Sequence, residues 1–173
     1  MFTARLETLK ANATAIDCHV KPVKGTDSGN LGKVYEAEVK AYLGNVNGKT
    51  VSAQGRVDTR FHGYNVEVKQ GASGLDMFFD GHKIDFVVYC PDYALNDDVS
   101  AGSYVLTRDG FVEALEEAGM IRDKVGTDGI TRKAMQSYKN SNKKYNAWLD
   151  ALDAHMEMTL DEFKEIEPKG AEG

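Results

Sequence analysis

Only two cysteines, Cys18 and Cys90, occur in 173 residues, and they form no C-x-x-C unit. That excludes a disulfide framework or a cysteine-built zinc site as the organiser of the fold. Proline is as scarce, at three residues, so nothing reads as a proline-rich linker between domains. No apolar run approaches the roughly 20 residues of a membrane span. Residues 1–7 also lack the continuous hydrophobic stretch of a signal peptide. A cytoplasmic protein that meets no membrane is therefore expected. The four histidines, His19, His62, His82 and His155, stand singly and suggest no histidine-built metal site. Cations are outnumbered, 21 against 27 acids, and the net charge is −6. Such a chain does not coat nucleic acid through bulk charge, though a local basic patch remains open to it. Hydrophobic residues make up 42%, enough for one domain with a sizeable core.

What is present is concentrated in residues 56–70, RVDTRFHGYNVEVKQ. Two alternating runs, 56–61 and 64–70, flank His62-Gly63, a pair suited to a tight hairpin turn. Pairing Phe61 with Tyr64 sets Thr59 opposite Val66 and Asp58 opposite Glu67. A symmetric four-residue loop gives the same register, whereas a three- or five-residue loop would slip it. Val57, Phe61, Tyr64, Val66 and Val68 then share one face, and Arg56, Asp58, Arg60, Asn65, Glu67 and Lys69 the other. Two carboxylates directly opposite, with Cβ atoms about 5 Å apart, repel one another. A divalent cation would turn that repulsion into ligation.

On this reading Asp58 and Glu67 supply hard oxygen ligands for Mg²⁺ (or Mn²⁺), and the Val68 carbonyl adds another. Mg²⁺ keeps several waters and accepts phosphate oxygens, which suits phosphodiester cleavage. Lys69 would orient or deprotonate the attacking water, or offset charge on the phosphorane. The competing reading is an ordinary half-exposed hairpin whose acids are neutralised by Arg56 and Arg60.

The spacing of Asp58 from Glu67-Val68-Lys69 resembles the motif of the PD-(D/E)XK nuclease superfamily, the restriction-endonuclease-like fold. Val57, rather than proline, precedes the Asp. Upstream, residues 30–44 are similar to the first helix of archaeal-type Holliday-junction resolvases. There a glycine is followed four residues later by a metal-binding glutamate, a pattern that falls on Gly32 and Glu36. The resemblance covers about residues 30–107. It implies a metal site of Glu36, Asp58 and Glu67 with Lys69 beside it, and DNA as substrate. Dimers are common in the superfamily, so a homodimer is compatible with it.

Read without the family, residues 30–44 predict a helix with Asn30 as N-cap and Gly44 as its stop. Leu31, Val34, Tyr35, Val39, Ala41 and Tyr42 form one apolar stripe. Glu36 lies at its flank and Glu38 nearer its middle, so helical spacing favours Glu38 as the buried acid and the family pattern favours Glu36.

Basic residues gather further on. Residues 129–149 hold no acid but contain Arg132, Lys133, Lys139, Lys143 and Lys144. Residues 150–167 reverse the sign. Lys133, Lys139, Lys143 and Lys144 are candidate phosphate contacts, with a solvated helix face as the alternative. Tyr138, Tyr145 and Trp148 could stack on bases, but their helical spacing favours core packing.

Along the chain the pattern predicts a helix over 3–16, a polar loop over 21–30, the Glu36 helix, and a strand near 49–53 running into 56–61. The strand 64–70 follows, then a flexible break at 71–74 and a buried strand at 83–89. A loop over 93–102, a strand over 103–107 and a helix over 111–118 come next. Helices are expected at 131–140 and 142–156, then a short one opened by the capping box at Thr159. The expected fold class is α/β: a restriction-endonuclease-like mixed central β-sheet flanked by helices. One domain would span 1–167, with its core at about 30–119, a helical C-terminal extension at 131–167 and a flexible tail at 168–173. The expected activity is Mg²⁺-dependent DNA hydrolysis. A non-catalytic DNA-binding or assembly protein keeping the nuclease fold is the alternative, and a phosphoesterase acting on small nucleotides is a third.

Overall fold

The computed structural model describes residues 28–44, 59–71, 83–91, 99–136, 138 and 141–168. The expected helix at 3–16, the strand near 49–58 and the break at 72–74 lie outside these residues, as does the tail from 169 onward.

Helix α1 (Ser28–Tyr42) begins before the expected Asn30 cap. Its buried stripe is Tyr35 and Val39, continued by Leu43 just past its end, with Tyr42 packed beside them. Val34 and Ala41, expected on that stripe, are exposed. The two-residue turn His62-Gly63, with φ of 50° and 83°, joins β1 (Thr59–Phe61) to β2 (Tyr64–Gln70). Both turn residues are left-handed, as in a turn whose twist matches the flanking strands. The register is Phe61↔Tyr64, Arg60↔Asn65 and Thr59↔Val66, as the sequence predicts.

β2 runs parallel to β3 (Phe86–Cys90), which pairs antiparallel with β4 (Tyr104–Thr107). The strands are shorter than the expected 83–89 and 103–107. Residues 99–102, expected as loop, form a helical turn, α2 (Val99–Gly102). Docking fixes this turn: Val99 enters the core, and Ser103, just past the turn's end, hydrogen bonds through Oγ to the Tyr35 hydroxyl at 2.7 Å. Helix α3 (Arg108–Glu117) starts three residues before the expected 111, because the Thr107 side chain caps it by accepting from the Gly110 N–H.

The largest departure lies at 131–140. Instead of a helix, Thr131–Met135 form β6, which pairs antiparallel with β5 (Ile121–Val125) in a separate two-stranded sheet. The segment between them, Gly126-Thr127-Asp128-Gly129-Ile130, carries the reason. Gly129 has φ 77°, and Asp128 accepts from the Ile130 N–H at 3.0 Å. This turn folds 131–135 back onto 121–125, and pairing overrides local preference. The expected helical extension therefore begins with a strand. Helix α4 (Asn142–His155) lies where predicted, and β7 (Met158–Thr159), not foreseen, joins the main sheet at β4. The Thr159 capping box opens α5 (Leu160–Lys164) as expected.

The five-stranded sheet has the order β1-β2-β3-β4-β7 and is mixed. One side carries Val66, Val68, Val88, Cys90 and Val105 under α1 and α5. The other carries Val87, Tyr89, Tyr104 and Leu106 under α3 and α4. Tyr138, Tyr145 and Trp148 are core residues, not a stacking platform. No helix among the described residues is long and apolar enough to cross a membrane.

Thr159→Ala removes the half of the capping box in which the Thr159 hydroxyl accepts from the Glu162 N–H, and leaves the Thr159 N–H able to donate to the Glu162 carboxylate. It is expected to lower stability by about 1 kcal/mol, with Thr159→Ser retaining most of it, as measured by urea unfolding.

Candidate functional site

The site is built on β2. Alternation along this strand sends Val66 and Val68 toward α1 and sends Glu67 and Lys69 the other way. Parallel pairing sets Glu67 beside Val87 and Lys69 beside Tyr89, on the side covered by α3 and α4. Glu67 is 1% exposed. Its Oε1 lies 3.7 Å from the Lys69 ammonium, whose side chain keeps 21% of its surface in solvent. An enclosed carboxylate next to a partly wet cation is a costly arrangement unless the charge is compensated. Arg60 lies on the polar face of the hairpin, donating to Asn65 Oδ1 at 3.1 Å.

Asn65 anchors the start of the strand. Its N–H donates to the Asp85 carboxylate at 2.8 Å, its carbonyl accepts from the Asp85 N–H at 2.9 Å, and its amide donates to the Lys83 carbonyl at 2.8 Å. The other end is clamped at Gly71. The Gly71 N–H donates to the Cys90 carbonyl at 3.0 Å, and the Gly71 carbonyl accepts from the Tyr89 hydroxyl at 2.7 Å. Trp148 Nε1 donates to that same hydroxyl at 3.0 Å. Burial, together with neighbouring Tyr138, pushes the Tyr89 phenol well above its ordinary value, so it keeps its proton at neutral pH. A chain of hydrogen bonds thus runs from α4 to the residue following Gln70. From sequence alone Tyr89 is only the end of a buried strand and Trp148 a core residue of a helix. Their link to the Glu67–Lys69 strand depends on the β2–β3 pairing, which no local signal encodes.

The remaining expected residues fall as follows. Asp58 lies outside the described residues, next to the last described pair of the hairpin, Thr59↔Val66. Val68 is a buried residue of β2, and its side chain points to the α1 side. Glu36 sits on α1 with its carboxylate 2.7 Å from Lys40 Nζ, and that ion pair is its contact among the described residues. With Val34 and Ala41 turned outward, the narrowed stripe leaves Glu36 and Glu38 both at its margins, each half-buried. Among the described residues no group of three His, Cys, Asp or Glu side chains gathers to hold a metal ion.

The basic segment is divided by the structure. Lys133 lies on β6 and pairs with Asp123 at 2.8 Å. Lys143 and Lys144 are exposed in the first turn of α4, which holds no acid. Lys139 lies outside the described residues. Comparison with family models, curated proteins and solved structures finds no match to this chain.

Tyr89→Phe removes the donor to Gly71 and strands the buried Trp148 N–H. It is expected to cost about 1–3 kcal/mol in denaturant unfolding and to speed amide exchange at Gly71.

Proposed function

We propose that the chain is a metal-dependent deoxyribonuclease of the restriction-endonuclease-like kind. The reading is carried by one observation: buried Glu67 and partly exposed Lys69 stand side by side on β2, in a hairpin whose register is Thr59↔Val66. That register is the one on which Asp58 and Glu67 were expected to face each other. The donor set suits a hard cation, since a carboxylate enclosed at the sheet would be compensated by one. Asp58, Glu67 and the Val68 carbonyl would hold Mg²⁺ or Mn²⁺, which would supply Lewis-acid polarisation of a phosphodiester, whereas Glu36 belongs to α1, the helix packed against the other side of β2.

The residues themselves divide the work. Glu67 provides fixed negative charge, held in place because both ends of its strand are pinned. Lys69 brings a cation to the same side. It would orient the attacking water or offset charge building on the phosphorane oxygens. Its solvent-exposed portion is the part a substrate would meet. Exposed Lys143 and Lys144 would meet DNA phosphates, and two active sites in a homodimer would suit cleavage of both strands.

A second reading is favoured by the Glu67–Lys69 and Glu36–Lys40 ion pairs, which neutralise these acids within the chain. On that reading the protein binds or organises DNA without cutting it. Incubation with Mg²⁺ or Mn²⁺ and a panel of linear, circular, single-stranded and four-way DNAs separates the two. Lys69→Ala is expected to reduce cleavage by roughly 100-fold or more, with some loss of thermal stability because it also removes the cation beside buried Glu67. Cleavage at the native rate by that variant would rule the role out.

A further inference from the structure

The β5–β6 ribbon differs from the rest of the chain in charge and in exposure. It holds Arg122, Lys124, Arg132 and Lys133 against Asp123 and Asp128, in a protein of net charge −6. Its base is rooted in the core by Met120 and Met135, with Ile121 packed against them and the Gln136 N–H donating to the Met120 carbonyl at 2.7 Å. Beyond that root, residues 122–125 and 131–133 are exposed, so neither face of the ribbon is covered.

The register sorts its charges by face. Pairs Arg122↔Ala134 and Lys124↔Arg132 lie on one side, and Asp123↔Lys133 on the other. The second side is self-neutralised by the 2.8 Å ion pair of Asp123 and Lys133. The first side sets two cations directly opposite, an arrangement that opposes strand pairing. Arg132 is partly compensated at the tip, forking onto Asp128 at 3.1 and 2.7 Å and holding that exposed carboxyl at about 2. Arg122 and Lys124 have no acidic partner among the described residues. At the tip, Val125 and Ile130 are 66% and 54% exposed.

We infer that this ribbon grips duplex DNA through the face bearing Arg122, Lys124 and Arg132. The inference deepens the nuclease reading by naming a surface that would hold its substrate. A polyanion relieves the like-charge repulsion of Lys124 and Arg132, as no neutral partner does. A two-stranded ribbon also has the cross-section that a B-DNA major groove, about 12 Å wide, admits. Cations on the exposed face would neutralise phosphates and so release counterions.

The test is anisotropy titration of a labelled duplex in EDTA over a range of salt concentrations. The wild-type chain is compared with the Arg122→Ala/Lys124→Ala double variant and with Lys133→Ala. All three positions are exposed, and circular dichroism melting checks that the folds match. The double variant is expected to weaken binding on the order of tenfold and to flatten the salt slope by about two. Lys133→Ala, on the opposite face, should flatten it by less than one. An unchanged slope in the double variant overturns the inference, as does equal flattening by Lys133→Ala, or binding to single strands only. EDTA separates this outcome from the metal site. A chain that grips the duplex through this face yet never cuts it leaves the inference standing and sinks the nuclease reading.

Discussion

Everything in this fold turns on β2, a strand covered on both sides that nevertheless carries a carboxylate inward. Val66 and Val68 supply the apolar contacts to α1, and the alternate positions turn Glu67 and Lys69 toward the opposite layer. A buried anion in a sheet is stable only if its surroundings meet its charge and the strand cannot slip by one residue. The second condition is built in. The left-handed His62-Gly63 turn sets the antiparallel register, and the parallel pairing to β3 sets the other edge.

The ends of that strand are held by groups far away in sequence. Asn65 and Asp85 exchange bonds at one end. Gly71 receives the Tyr89 hydroxyl at the other, and Trp148 of α4 completes the chain. The same α4 packs with α3 over β3 and β4, so this helix of the expected C-terminal extension belongs to the core rather than to an appendage. Rigidity at Glu67 and Lys69 is thus a tertiary property. It is the kind of support a site needs when charged groups must hold their geometry.

Charge is distributed against the grain of the whole chain. The acidic total conceals a ribbon that is locally basic, and within it a division between a neutralised face and a cationic one. Averages over sequence windows miss such a division, because neighbours in a strand point to opposite sides. Residues 129–149 illustrate this: they look like a uniformly basic run, yet Lys133 is tied to Asp123 while Arg132 points to the other face.

How far the residues speak for themselves varies by element. Strand 64–70, the hairpin register, α4 and the Thr159 capping box are legible because each rests on local chemistry: alternation, a turn pair, helical periodicity and a reciprocal cap. The α2 turn and β7 are not, because each exists only by pairing with or docking on something distant. The β5–β6 ribbon does have a local sign, the Asp128-Gly129 turn, which the helical reading of 131–140 passes over. The candidate site divides the same way. Glu67 and Lys69 on one face of one strand follow from a period of two, a covalent property of the chain. The depth at which Glu67 is buried and the Tyr89–Trp148 clamp were decided by packing, whereas the Glu36–Lys40 pair follows from helical spacing of four residues. Burial and long-range hydrogen bonding depend on which surfaces meet, and that is settled only when the whole sheet closes under its helices.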